Sequence, residues 1–193
     1  MKQTKITKVL GKVVGQLALK LDEKEKGQDK VLSFSREFIR DCAKAIRHLH
    51  TGDNAEAKEL MVVLKKKLVE LKKVGELFPN IIDTPLQEYA EIMIFSAISE
   101  KKDIPTPEDL DIPVSPYLAG FLDASGEIRR ALQLALKEGQ NDDAEYYFQC
   151  MNDIYNEMML LKYSASLVGN LKRKQDVLRG QLENARSEML RAR

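Results

Sequence analysis

Apolar side chains recur along this chain at steps of three and four, and no segment sustains the every-second-residue alternation of a half-buried strand. Between Asp29 and His50 the apolar positions Ile39, Cys42, Ile46 and Leu49 follow the helical step. Arg36, Arg40, Lys44 and Arg47 form a second stripe with the same spacing, so the segment reads as an amphipathic helix with one wholly basic face. Helix-favouring residues reach back to Lys5, with Gly27 expected to kink that helix or to separate two. Thr51-Gly52-Asp53 supplies a stop and a new cap. A second helix is expected from about Asn54 to Leu77, with Leu60, Leu64, Leu68 and Leu71 on one side, ended by Phe78-Pro79-Asn80. A third is expected over about Thr84 to Lys101, with Pro85 in its first turn. Pro105, Pro107, Pro113 and Pro116 mark 102–116 as a loop with one short helical turn.

After that loop, Leu118, Phe121, Ser125, Ile128, Leu132 and Ala135 give the cleanest helical spacing in the chain, stopping at Gly139. A further helix is expected from Asp142 and Asp143 to about Tyr163. The last covers about Leu167 to Arg193, where Leu171, Leu178, Leu182, Ala185 and Met189 make a coiled-coil-like seam. The expectation is an all-α bundle of six to seven helices over residues 1–193, one domain with no internal repeat.

Composition narrows the class. The 193 residues are 44% hydrophobic and 32% charged, enough for a core without metal or disulfide staples, which argues against a disordered chain. Cys42 and Cys150 read as ordinary buried thiols, since no CxxC spacing exists. No signal peptide is expected in Val13–Leu19, which is short and flanked by Lys12 and Lys20, and no run approaches a membrane span, so a soluble cytoplasmic protein is expected. The net charge of +1 conceals segregation: 1–78 carries +7, 79–147 carries −9 and 148–193 carries +3. Either one surface holds an anion while a separate pocket holds cations, or the charges are solvated faces without further meaning.

The acidic middle holds two carboxylate pairs, Glu88 with Glu91 three apart and Asp123 with Glu127 four apart, each on one helix face and neither expected to pair with a suitably spaced base. If the two helices pack side by side, four carboxylates converge into an all-oxygen site suited to Mg²⁺ or Mn²⁺ rather than Zn²⁺ or iron. Such a site left open to substrate suits phosphoryl transfer. The same spacings also occur on solvated helix faces. Neither HExxH nor a Glu-x-x-His motif is available, and His48 and His50 read as surface or interface histidines. Walker A, GxGxxG and GxSxG are absent. Tyr146-Tyr147-Phe148 could stack on bases, although packing is the commoner role.

Leu86-Gln87-Glu88-Tyr89-Ala90-Glu91 resembles the L-Q-E-Y-V-E stretch of TRAX, the translin-associated factor X, and Tyr117 to Glu127 (YLAGFLDASGE) resembles its Y-L-L-G-V-A-D-L-T-G-E. The likeness to the translin/TRAX family continues through Ser35-Arg36-Glu37, Ile46, Leu49 and His50, and Gly139 to Asp142, over roughly residues 25 to 190. It implies a translin-like fold assembled into a hollow octamer, with an Mg²⁺-dependent endoribonuclease site on the inner wall (Mn²⁺ as substitute). All four TRAX carboxylate positions are acids here, Glu88, Glu91, Asp123 and Glu127, which favours a catalytic TRAX-like member over a non-catalytic translin-like RNA- or DNA-binding scaffold.

On that resemblance Glu91, Asp123 and Glu127 would hold the metal, and Glu88 would complete the shell or orient water. Arg36, Arg40, Lys44 and Arg47, with Arg129 and Arg130, would grip phosphates without reading sequence. The expected partners are RNA, single-stranded or as a short duplex, single-stranded DNA, and further copies of the chain. A purely structural helical oligomer built on the Leu171–Met189 seam is the remaining class. No long loop insertion and no basic nuclear-targeting leader of the larger relatives is expected, which resembles a compact prokaryotic or archaeal type.

Overall fold

From Lys5 to Thr51 the chain is one helix of 47 residues, α1. The structure, a computed structural model, describes residues 5–192. Gly27 does not break α1: a single interior glycine costs about 1 kcal/mol, too little to split a helix with long flanks. The residue instead lies against the ring of Phe78, 3.4 Å from where a Cβ would stand. The remaining elements are α2 (Asn54–Val74), α3 (Pro79–Ser99), α4 (Pro107–Leu110), α5 (Val114–Lys137), α6 (Asn141–Met158), α7 (Ala165–Val168) and α8 (Leu171–Arg191). Six long helices and two single turns make the all-α bundle expected from periodicity, with no strand among the described residues.

The helix starts differ from expectation where proline was the guide. Pro79 takes the first-turn position of α3, and Pro85 lies inside the helix rather than at its start. An interior proline loses one backbone hydrogen bond and crowds the carbonyl four residues back, at a cost of about 3 kcal/mol. Ile82, Pro85 and Leu86 are all buried, and burying side chains of that size offsets the loss. Likewise α5 begins at Val114, so Pro116 falls in its first turn. The turn α4 is held by a capping box: Thr106 Oγ1 accepts from Asp109 N (3.1 Å) while Thr106 N donates to Asp109 Oδ2 (2.9 Å). The last expected helix is interrupted at Gly169, whose φ of 58° a residue with a side chain rarely adopts, leaving α7 and α8 separate.

Helix α5 is the hub, packed against α3, α6 and α8, while α1 packs on α2 and α3. The core runs continuously from Val31 on α1 to Ala185 on α8. Leu171, Leu178, Leu182 and Ala185, the seam of the last helix, are buried inside this chain, so that seam is used intramolecularly. Tyr146 is likewise a packing residue, its hydroxyl donating to the Ile98 carbonyl at 2.8 Å. Cys42 is buried, Cys150 half-buried, and both are free thiols. The first half of α1 behaves differently. Ile6, Val9, Leu10, Val13 and Leu17 follow helical spacing on one side of it, yet all are exposed, from 45% at Val13 to 78% at Ile6. No helix among the described residues is long and apolar enough to cross a membrane.

Candidate functional site

The two acidic pairs meet because α5 passes α3 almost backbone to backbone. A Cβ added at Gly120 would stand 2.3 Å from the Gln87 carbonyl oxygen, 2.7 Å from Ala90 Cβ and 2.9 Å from Glu91 N. Only glycine permits that approach. Ala90, the small residue on the facing turn, lies between Glu88 and Glu91, while Asp123 and Glu127 follow Gly120 at one and two turns on α5.

Their charges act on one another. Burial, reinforced by Glu88, Asp123 and Glu127, pushes the Glu91 carboxyl up to about 8. Burial and the Asp123 charge also raise Glu88, with the Lys174 ammonium opposing and Glu127 adding to the rise. The Cys42 thiol, on the facing side of α1, is pushed up by burial and by Glu88, Asp41 and Glu91. Burial and neighbouring acids disfavour ionisation of Glu88 and Glu91, which is an electrostatic condition for drawing in positive charge.

Three polar side chains already serve the α5 acids. Gln87 Nε2 donates to Asp123 Oδ2 at 2.6 Å, and Lys174 of α8 donates to Asp123 Oδ1. His50, at the C-terminal end of α1, meets Glu127 Oε2 through Nε2 at 2.6 Å. A carboxylate oxygen accepts, so Nε2 carries the hydrogen. The reading of His50 as a surface residue is corrected: its side chain is 4% exposed and its ring packs on Phe95 with centroids 4.9 Å apart. His48 is partly exposed beside Asp53. The expectation that neither pair finds a base is also corrected, since Lys174 pairs with Asp123 across 51 residues and Arg130 lies 3.9 Å from Glu127.

The donor set fits a divalent ion in kind: four carboxylates, oxygen only, around a locus that already attracts an ammonium. As the side chains stand, no three His, Cys, Asp or Glu residues among those described share reach of one ion, and Lys174, Gln87 and His50 hold the α5 acids.

The basic residues divide into unlike groups. Arg36, Arg40, Lys44 and Arg47 are exposed, and lie roughly 160° around α1 from its packed face at Phe38, Cys42 and Ile46. Lys44 is paired with Asp41 at 3.1 Å. Arg129 is tied to Glu188 of α8, whose same oxygen accepts from Gln133 at 2.9 Å, so a phosphate there would compete with an existing ion pair. Arg130 is exposed. Lys174, Arg173, Asn170 and Gln181 of α8 and its N-terminal flank line a cavity of about 330 Å³ with Asp123 and Leu122 on its α5 wall. Sequence reasoning missed His50, Gln87 and Lys174. For His50 a signal existed, because it extends the step from Ile46 along the packed side of α1.

Comparison with known proteins agrees with this architecture. The chain is 33% identical over 174 residues to an uncharacterized protein of Methanocaldococcus jannaschii, an alignment covering 88% of this chain and 78% of the relative. Its fold is similar to a crystal structure of AfC3PO (28% identity, TM-score 0.80, 93% of this chain and 96% of that chain). It is similar also to AfC3PO in a duplex RNA complex (29%, 0.79, 93% and 95%). Apo-NeC3PO, at 19% identity with a TM-score of 0.82 over 93% and 97% of the two chains, shares the fold. The Translin family profile matches residues 5–187. With a profile match over almost its whole length and the all-helical architecture of its structural neighbours, the chain belongs to the Translin family.

Proposed function

We propose that this protein is an RNA-binding subunit of a hollow homo-oligomer, an octamer on the family pattern, that hydrolyses RNA phosphodiesters with the help of Mg²⁺ or Mn²⁺. The observation that carries the reading is the burial of Glu91 beside Glu88, Asp123 and Glu127, since a carboxyl held out of water among other acids is costly to ionise and a bound cation would offset that cost. The similarity to AfC3PO, seen elsewhere with duplex RNA, supports RNA as the ligand. It leaves cleavage to be supported by the acids themselves.

When bound, the metal ion would lower the pKa of water and neutralise charge on the scissile phosphate. Glu91, Asp123 and Glu127 would hold it. Glu88, less buried than Glu91, is suited to take the proton of the attacking water. His50 fixes Glu127 through its ring N–H, and Phe95 fixes the imidazole plane. Arg36, Arg40 and Arg47 carry exposed charge for flanking phosphates, which sets affinity and salt dependence without sequence preference. The exposed apolar side of the first half of α1 supports self-association, since a helix with that stripe gains by covering it. A cytoplasmic location goes with both free thiols.

The test is cleavage of a labelled single-stranded RNA by the purified protein in Mg²⁺ against EDTA, beside an Asp123→Ala, Glu127→Ala double variant. Metal-dependent cleavage lost in the variant is the expected result. Retention of RNA without cleavage by either protein would instead establish a non-catalytic scaffold. One observation favours that second reading: Asp123 and Glu127 already have protein partners in Lys174, Gln87 and His50.

A further inference from the structure

Asp123 is served from two sides. Gln87 offers it a neutral amide from α3, and Lys174 offers a full charge from α8. The Lys174 side chain is only 15% exposed, so its ammonium has exchanged most of its water for the carboxylate. Its charge also reaches past Asp123, counteracting the rise of Glu88 and of Glu91. One cation therefore offsets negative charge on two helices, the task a divalent ion would perform in the same place. Held together at Asp123, an ammonium and a metal ion repel, so each lowers the other's occupancy there. Beside Asp123 lies the cavity of about 330 Å³ on whose wall Lys174 already stands with Asn170 and Gln181. A four-carbon side chain has room to turn there without unfolding its helix.

We infer that Lys174 is the resident counter-cation of the carboxylate cluster, a positioning residue that a divalent metal ion must displace from Asp123 into the cavity between α5 and α8. The inference rests on the proposed metal site. It adds that the apo protein carries its own competitor, which keeps the acids in place when no metal is bound and lowers metal affinity through a coupling between two cations. Lys174 thereby sets the metal concentration at which the site loads.

Mn²⁺ binding to the full-length protein, followed by titration calorimetry and by Mn²⁺ electron paramagnetic resonance, tests this without reference to cleavage. Lys174→Met is expected to bind Mn²⁺ roughly tenfold more tightly than wild type, within the usual range of a coupling between two sites. Lys174→Arg, which keeps the charge, is expected to stay near wild type. Lys174→Gln guards against a folding defect peculiar to Met and is expected to follow Met. Equal or weaker Mn²⁺ binding by both neutral variants overturns the inference while leaving the metal site standing. Absence of Mn²⁺ uptake by wild type and all variants overturns the metal site and the inference together. A purely structural Lys174 would lower thermal stability in both neutral variants without tightening the ion.

Discussion

Two sets of positive side chains, one on the outer face of α1 and one against Asp123, differ in everything but sign. On α1, Arg36, Arg40 and Arg47 stand in solvent on the side turned from the bundle. On α8, Lys174 is desolvated, bonded to Asp123 and one wall of a cavity. An exposed charge acts over a screened distance of about 8 Å at physiological salt and serves a polyanion by counterion release. A desolvated charge acts on one neighbour, strongly and by geometry. The outer set is suited in kind to a polyanion and the inner set to a single carboxylate.

The sharpest way to break that division is to remove the acids and keep the outer set. Asp123→Asn is expected to lower cleavage by on the order of 10²-fold or more, the scale on which single preorganised electrostatic groups act. Filter retention of RNA at low salt should persist, and loss of both would merge the two sets into one. The reciprocal variant, Arg36→Ala with Arg40→Ala and Arg47→Ala, should flatten the log–log salt dependence of single-stranded RNA binding by roughly 2, at about 0.7 per phosphate contact. Its turnover at saturating RNA should match wild type; an unchanged salt slope would remove α1 from the RNA surface.

Gly120→Ala probes the approach that assembles the acids. The added methyl meets backbone at 2.3 Å, so α3 and α5 must separate, and overpacking of this kind costs about 1–3 kcal/mol. A lowered melting temperature with weakened Mn²⁺ binding is expected, and a neutral result would show the helices free to slide. The effect confined to alkaline pH concerns Glu91, whose carboxyl sits at about 8 against an ordinary 4.5, so that the fold favours its protonated form. That contribution is complete below pH 4.5 and is lost as pH rises through 8. In EDTA, Glu91→Gln should match wild type near pH 4 and melt higher than wild type near pH 8.5. A variant that instead falls further behind wild type with rising pH would mean the ionised carboxylate is held favourably in the apo protein.

What the sequence made legible follows from range. The helices, the acid pairs and the basic stripe are patterns within a few turns, and each lies on a helix its spacing indicated, apart from the ends of α3 and the break at Gly169. Prolines misled locally because their cost is finite: the burial of Ile82 and Leu86 carries α3 through Pro85. Lys174 and His50 were not legible as site residues, since their partners lie 51 and 77 residues away and only the packing of α8 and α1 on α5 brings them in. That the acid pairs face one another was reached through the resemblance. Its physical cause is a missing side chain at Gly120, which no charge pattern announces.

The 47-residue α1 has a consequence for how the molecule responds to dilution. At 1.5 Å per residue the stretch before Val31 extends about 40 Å, and its side chains are exposed throughout 9–26. With its side chains exposed within this chain, that stretch gains stability from any cover that another molecule supplies. Protein concentration then becomes a variable of secondary structure. On dilution the amide hydrogens of 9–26 should exchange early while those beyond Val31 remain protected, and the helical signal of this protein should carry a binding constant within it.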